Sequence, residues 1–275
     1  MWTVPAKDAQ IPALGFGTFT LSPDDCQRMV TAALEVGYRH VDTAQVYDNE
    51  DAVGAAMAQS PVPREDVWLT TKVWVDKFRD GDLQKSVDDS LKRLQTDYVD
   101  LLLLHWPNPD VPLEETLKAL ASVKRDGRAR HIGLSNFTVA LMKQAFAVTE
   151  EPLAVNQVEY HPYLNQDPVL DMVRAKGMAL TAYSPVAQGN ILGDETLKRI
   201  GDKYGKNEAQ VTLRWLIQQD GVIAIPRTKS EEHCKTNLEV FDFDLTEEEM
   251  AEIKALHRPD GRQISPEGLA PEWDT

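Results

Sequence analysis

Four residues of this 275-residue chain could deliver a proton to an oxygen: Asp42, Tyr47, Lys72 and His105. Asp42 closes the short stretch His40-Val41-Asp42, and Tyr47 follows one polar turn later. A phenol is a poor proton donor near neutral pH unless a neighbouring cation lowers its pKa. Lys72, at the end of the next apolar stretch (67–72), can be that cation, with Asp42 as its counter-ion. His105 follows the apolar run 101–104 and can hydrogen-bond a substrate oxygen. The expected result is a phenol of lowered pKa, aimed at an oxygen on which negative charge develops. Reduction of a carbonyl by hydride needs that arrangement.

These residues can act together only if the fold brings their strands to one place. The pattern begins with a hairpin or arm over 1–13, and then alternates. Strands are expected at 14–18, 40–42, 67–72, 98–104, 131–134, 154–158, 178–182 and 222–225. Helices are expected at 22–36, stopped by Gly37, and at 49–59, 82–94, 113–126, 139–147, 168–176, 195–204, 207–219, 231–238 and 246–256. About eight strand–helix alternations without a linker or composition break predict one domain over residues 1–275. Its class is α/β, a (β/α)8 TIM barrel with an N-terminal hairpin and extra late helices. In such a barrel the reactive residues project from the C-terminal ends of the strands. A lone Lys or His at a strand end is ordinarily a surface or packing residue. Asp, Lys and His ending three successive strands are harder to dismiss, because the barrel gathers those ends around one mouth.

Composition narrows the partners. A net charge of −15 argues against a nucleic-acid footprint or an anionic membrane surface. Two cysteines, Cys26 and Cys234, are too few for a disulfide framework. The first residues lack the charge and apolar core of a signal peptide, and no apolar run reaches membrane-spanning length. A cytoplasmic protein is expected. No metal-binding motif such as H-E-x-x-H occurs, so no metal is expected. Gly15 and Gly17 suggest close backbone approach, but the dinucleotide fingerprint fails at Thr20. Trp68 and Trp215 read as packing residues, and the run Glu247-Glu248-Glu249 as a solvated helix start.

Longer motifs carry a resemblance. Val41-Asp42-Thr43-Ala44 with Tyr47 and Asn49-Glu50, Thr71-Lys72-Val73-Trp74 and Leu104-His105-Trp106-Pro107 resemble the aldo-keto reductase superfamily. The likeness continues through Gly133-Leu134-Ser135-Asn136-Phe137, Asn156-Gln157-Val158-Glu159-Tyr160-His161-Pro162, Ala182-Tyr183-Ser184-Pro185 and Ile225-Pro226-Arg227-Thr228. Length and short tail are similar to the microbial branch related to 2,5-diketo-D-gluconate reductases. The resemblance implies a catalytic tetrad of Asp42, Tyr47, Lys72 and His105, and NADPH bound without a Rossmann domain. It implies Ser135, Asn136 and Gln157 at the nicotinamide carboxamide, with Tyr183 stacked on the ring and Gly17, Thr18 and Asp42 alongside the cofactor. Ser184, Val186 and Gly189 would line the pyrophosphate, and Arg227, Thr228, His233 and Asn237 the adenosine end. Phe19, Trp74 and Trp106 would wall the substrate pocket with Tyr47 and His105. Arg227-Thr228 replace the usual Lys-Ser, and His233 stands where an arginine is usual, so NADH is expected to serve as well.

The expected partner is a small aldehyde, ketone or keto-sugar, handled by a monomer. Two other readings stay open at this stage. One is a barrel that binds cofactor but serves as a regulatory or binding subunit. The other is a lyase forming a Schiff base on Lys72.

Overall fold

The computed structural model describes residues 1–274. It opens with an antiparallel hairpin, β1 (Thr3–Ala6) and β2 (Ala9–Pro12). Eight parallel strands follow: β3 (Phe16–Gly17), β4 (His40–Asp42), β5 (Trp68–Val73), β6 (Val99–Leu104), β7 (Ala129–Ser135), β8 (Leu153–Glu159), β9 (Ala179–Tyr183) and β10 (Val222–Ala224). They pair in chain order from β3 to β10. The sheet curls until its two ends meet. Leu14 bridges Ala224, Gly15 N donates to Ala224 O at 2.8 Å and Gly17 N donates to Pro226 O at 3.0 Å. Gly17 is explained by this seam and Gly15 by the His40 ring of β4. A Cβ at position 15 would stand 2.7 Å from the His40 ring, and one at 17 would stand 3.0 Å from Ile225 O.

Helices α1 (Pro23–Val36), α2 (Glu50–Gln59), α3 (Asp82–Leu94), α4 (Leu113–Arg125), α5 (Val139–Val148) and α6 (Asp167–Ala175) follow β3 to β8 in turn. Two helices, α7 (Glu195–Tyr204) and α8 (Glu208–Ile217), lie between β9 and β10. The chain then adds α9 (Glu231–Leu238) and α10 (Glu247–Lys254). The caps are those the sequence announces. Ser22 Oγ accepts from Asp25 N ahead of Pro23, and Gly37 ends α1 with φ of +115°. Thr246 and Glu249 form a capping box, so the three-glutamate run opens α10, but only Glu247 and Glu248 are solvated, because Glu249 is buried against Lys203 and Tyr204.

All six residues of β6 are buried, as a parallel strand covered on both faces requires. The strands β7 and β8 run longer than the sequence suggests. Ala129 pairs with Val99 and Glu159 pairs with Tyr183, so neighbouring strands extend them beyond their apolar stretches. Trp215 is buried, whereas Trp68 is partly exposed and stacks on the His131 ring at 5.4 Å. Among the described residues no helix is long and apolar enough to cross a membrane.

Candidate active site

Asp42 is the last residue of β4, Lys72 the last but one of β5, and His105 the first after β6. The three strands are neighbours, so the three side chains share the C-terminal mouth. Tyr47 closes a one-turn 3-10 helix, Gln45–Tyr47, between β4 and α2. Lys72 is fully buried, and its ammonium makes three contacts. Nζ donates to Asp42 Oδ1 at 2.5 Å, to Thr43 O at 2.8 Å and to the Tyr47 hydroxyl at 3.3 Å. The other Asp42 oxygen accepts from Gln157 Nε2 at 2.7 Å. The Tyr47 and Trp74 rings meet His105 edge-on, with centroids 5.6 and 5.2 Å away. Phe19 lies 5.0 Å from the Tyr47 ring and is exposed.

The electrostatics correct one expectation. Burial raises the Tyr47 pKa, Lys72 pulls it down and Asp42 pushes it up, and the sum lies above the ordinary phenol value. The lowered pKa read from the sequence is not found, because loss of hydration outweighs one ammonium that already faces Asp42. Tyr47 is therefore a neutral, proton-bearing phenol. Burial alone would depress Lys72, but Asp42 and the phenol oxygen more than reverse this and its pKa is raised. A lysine held as ammonium is a poor nucleophile, which argues against the Schiff-base reading. Burial, reinforced by Lys72, holds His105 well below the ordinary imidazole pKa. Among the described residues its buried Nδ1 has no hydrogen-bond partner. With no acceptor at Nδ1, the ring proton belongs on Nε2, which can then donate to an oxygen.

Further polar groups gather beside this cluster. Ser135 ends β7 and is followed by Asn136 with φ of +63°, and Gln157 lies two residues before the end of β8. Asn136 Nδ2 donates to His105 O at 2.9 Å, and its Oδ1 accepts from the Tyr183 hydroxyl at 2.8 Å. Ser135 Oγ donates to Gln157 O at 3.0 Å. Gln157 spends Nε2 on Asp42, while no described residue donates to its Oε1. Tyr183 ends β9 and is half-buried, and Ser184 follows with φ of +47°. Val186 and Gly189 lie in the turn beyond, both partly exposed. Arg227 and Thr228 follow β10, and Ser230 caps α9 by accepting from His233 N at 3.2 Å. Arg227 and His233 are exposed and Asn237 is half-buried. Thr18 is fully buried, and its hydroxyl donates to Asp42 O at 3.2 Å. Gly17 sits in the barrel seam, so both positions shape the floor of the site more than its open surface. Among the described residues no group of three or more His, Cys, Asp or Glu could hold a metal ion.

The sequence points to the tail after Leu256 as a source of substrate specificity but singles out none of its residues. Glu159, fully buried at the end of β8, accepts from Gln263 N at 2.8 Å and from Ile264 N at 3.0 Å. His161 Nε2 lies 3.0 Å from the same carboxylate. The tail after α10 is thus pinned across the barrel. Arg262 stacks on Trp273 at 3.7 Å, and Trp273 lies edge-on to Trp106 at 6.1 Å. Asp274 Oδ2 accepts from Val139 N at the start of α5 at 2.8 Å. Trp106 is consequently only 5% exposed, so the outer indole at this point is Trp273. Glu159 stood inside a quoted motif, but nothing in the local pattern links it to residues a hundred positions later.

A buried ammonium bonded to a neutral phenol, beside a neutral imidazole, can donate a proton and stabilise a nascent alkoxide. The donor set around it also suits a nicotinamide cofactor. Tyr183 offers a flat aromatic face, Gln157 Oε1 a carbonyl for an amide donor, and Arg227 an exposed guanidinium for phosphate. Known proteins resemble the chain over most of its length. Residues 13–258 match the family model described as the Aldo/keto reductase family. The chain is 45% identical over 267 residues to the methylglyoxal reductase DkgB of Escherichia coli O157:H7, covering 96% of this chain and 99% of that protein. It is 38% identical to the glyoxal reductase of Bacillus subtilis (strain 168), with 94% of each chain covered. Among solved structures, a candidate 2,5-diketo-D-gluconic acid reductase B superposes with a TM-score of 0.98 at 52% identity, covering 100% of this chain and 98% of the other. A Bombyx mori aldo-keto reductase in complex with NADP superposes at 0.88, with 32% identity and 95% and 94% coverage.

Proposed function

The chain belongs to the aldo/keto reductase family, and from that premise we propose that it reduces aldehyde and ketone carbonyls to alcohols with NADPH, using Tyr47 as the proton donor. When bound, the cofactor supplies the hydride. Ser135, Asn136 and Gln157 would hold its carboxamide, and Tyr183 would pack on its ring. Ser184, Val186 and Gly189 would flank the pyrophosphate, and Arg227, Thr228, His233 and Asn237 the adenosine end. The chain's own chemistry is the handling of one proton. His105 Nε2 donates a hydrogen bond to the carbonyl oxygen and orients it. Tyr47 gives its proton to that oxygen as negative charge develops there. Lys72 stabilises the phenolate left behind, and Asp42 holds Lys72 in place and charged. The raised phenol pKa keeps the donor loaded, and the adjacent ammonium makes its release feasible.

The observation that carries this reading is the three-way contact of the buried Lys72 ammonium with Asp42, Thr43 O and the Tyr47 hydroxyl. Substrates are small carbonyl compounds, of which the dicarbonyls methylglyoxal and glyoxal, named for two relatives, come first. Phe19, Trp74 and Trp106 help to shape the pocket, and the enzyme works as a single-domain cytoplasmic monomer. The test is NADPH and NADH oxidation across methylglyoxal, glyoxal, simple aldehydes, diketones and keto-sugars, repeated with Tyr47→Phe. Most of kcat should vanish in the variant while NADPH affinity is kept. Near-wild-type kcat in Tyr47→Phe would sink the proton-donor assignment. Tight NADPH binding with no turnover of any carbonyl would favour a binding subunit instead.

A further inference from the structure

Tyr47 stands on a single 3-10 turn without a side-chain cap of its own. Such a turn is too short to hold a phenol to within hydrogen-bond tolerance, so something outside it must. The side chain of Gln45, two residues earlier, is tied on both sides. Its Oε1 accepts from Trp74 N at 3.0 Å. Its Nε2 faces Ser86 O and Ser86 Oγ, both at 3.2 Å, and Ser90 Oγ at 3.1 Å, all on α3. Ser90 is fully buried and accepts also from Arg93 Nη2 at 3.2 Å. Arg93 then grips the buried Glu50, from Nε at 2.9 Å and Nη2 at 2.7 Å. The other Glu50 oxygen accepts from Thr71 Oγ1 at 2.5 Å.

These bonds close a belt. It starts at Trp74 N, runs through Gln45, Ser90, Arg93 and Glu50, and returns to Thr71. Both ends lie on the segment that carries Lys72, and Gln45 and Glu50 bracket Tyr47 from either side. We propose that Gln45 is a positioning residue for proton transfer: by fastening the Tyr47 turn to Trp74 and to α3, it sets the contact between the Tyr47 hydroxyl and Lys72. This rests on the reading of Tyr47 as the proton donor. The same bond to Trp74 N fixes the start of the segment whose indole packs on His105, so one amide governs two walls of the site. Glu50 holds the far side of the turn, but its removal would strand the Arg93 guanidinium and confuse the result with lost stability. Gln45 is neutral and half-buried, which makes it the cleaner handle.

The test uses Gln45→Met, which keeps the length without the hydrogen bonds, and Gln45→Glu, which keeps an acceptor for Trp74 N. In Gln45→Met, kcat for a small aldehyde should fall about 10–100-fold, the scale of a misplacement near 1 Å. The Kd for NADPH should stay within about twofold of wild type, since the cofactor residues proposed above are untouched. The solvent deuterium isotope effect on kcat should rise, because proton transfer becomes harder while hydride donation is unaltered. Gln45→Glu should recover part of the lost kcat. A crystal structure of Gln45→Met should show the Tyr47 hydroxyl beyond hydrogen-bond distance of Lys72 Nζ. Wild-type kcat in Gln45→Met overturns the inference. So does a fall in kcat with an unchanged isotope effect and no recovery in Gln45→Glu, which would mark general disruption. A wild-type protein that reduces no carbonyl at all refutes the reading of Tyr47 instead, and the variant's crystal structure then decides whether Gln45 holds the turn.

Discussion

At the scale of single residues, the centre is a balance between burial and charge. Tyr47 loses hydration and gains an ammonium, and the loss is the larger effect. Lys72 loses hydration and gains a carboxylate, and there the gain wins. Removing the ammonium should therefore do two things. Lys72→Met should lower the rate of reduction by ~10²–10⁴. It should also destabilise the fold by about 3–5 kcal/mol, because Asp42 is left charged and buried. The double variant Asp42→Asn/Lys72→Met should regain much of the stability and none of the activity. Urea denaturation and single-turnover reduction separate the two effects, and a double variant no more stable than Lys72→Met would refute the charge argument. A second residue-scale expectation concerns Arg227, which is exposed after β10. The acidic start of α9 is partly offset, since Glu231 pairs with Arg28 at 3.1 Å. Charge-assisted bonds contribute ~1.5–3 kcal/mol, so Arg227→Ala should weaken NADPH binding by one to two decades and spare NADH. His233→Arg should tighten NADPH alone. Equal losses for both cofactors in Arg227→Ala, read by tryptophan fluorescence quenching, would remove the phosphate from this position.

At the scale of elements, the irregular tail is tied to the barrel by side chains instead of a ladder. Glu159 takes two tail amides, and Gln263 Nε2 donates to Ala187 O at 3.1 Å in the turn after β9. The tail thereby links the end of β8, the β9–α7 loop and the start of α5. Glu159→Gln keeps the shape but removes the charge that opposes Arg262, 3.7 Å away. Hydrogen exchange across 260–274 should then accelerate by about tenfold or more, since each amide loses a charge-assisted acceptor. Relative kcat/KM between bulky and small aldehydes should change as Trp273 loosens over Trp106. Unaltered exchange in that segment would show that the carboxylate does not pin it. Trp106→Ala should shift the same ratio, and an equal effect on every substrate would make that indole purely structural.

At the scale of the whole molecule, three histidines are folded into sites that disfavour their charged form. Burial lowers the pKa of His40, His105 and His131. The unfolded chain binds protons at these rings below about pH 6.5, whereas the folded chain resists them. The histidine contribution to stability should be level above that pH and decline as the pH falls through it, by at most ~1.4 kcal/mol per histidine per pH unit. Carboxylates whose pKa is lowered by partners, such as Asp242 beside Lys206, add their loss only at lower pH, near and below their own range. Urea midpoints at pH 7.5 and 5.5 measure the first effect, and equal midpoints would contradict it.

The amino-acid order by itself put Asp42, Lys72 and His105 within a residue of the ends of β4, β5 and β6, although the full extents of β7 and β8 were not legible in it. Apolar runs closed by Asp42, Lys72 and His105 are local patterns, and a barrel must gather such ends at one mouth whatever the details of its packing. The ends of α1 were legible for the same reason, since Ser22 and Gly37 act within a few residues of themselves. The glycines at 15 and 17 signalled close approach, but only the folded sheet shows that Gly15 faces the His40 ring and Gly17 the backbone just after the last strand. Tertiary structure alone decided the sign of the Tyr47 shift, because desolvation depends on everything packed around the ring. It alone decided that Gln45 reaches Trp74 and Ser90, and that Glu159 reaches Gln263 and Ile264. Those contacts depend on which way side chains point across separate elements, and no spacing along the chain encodes that direction.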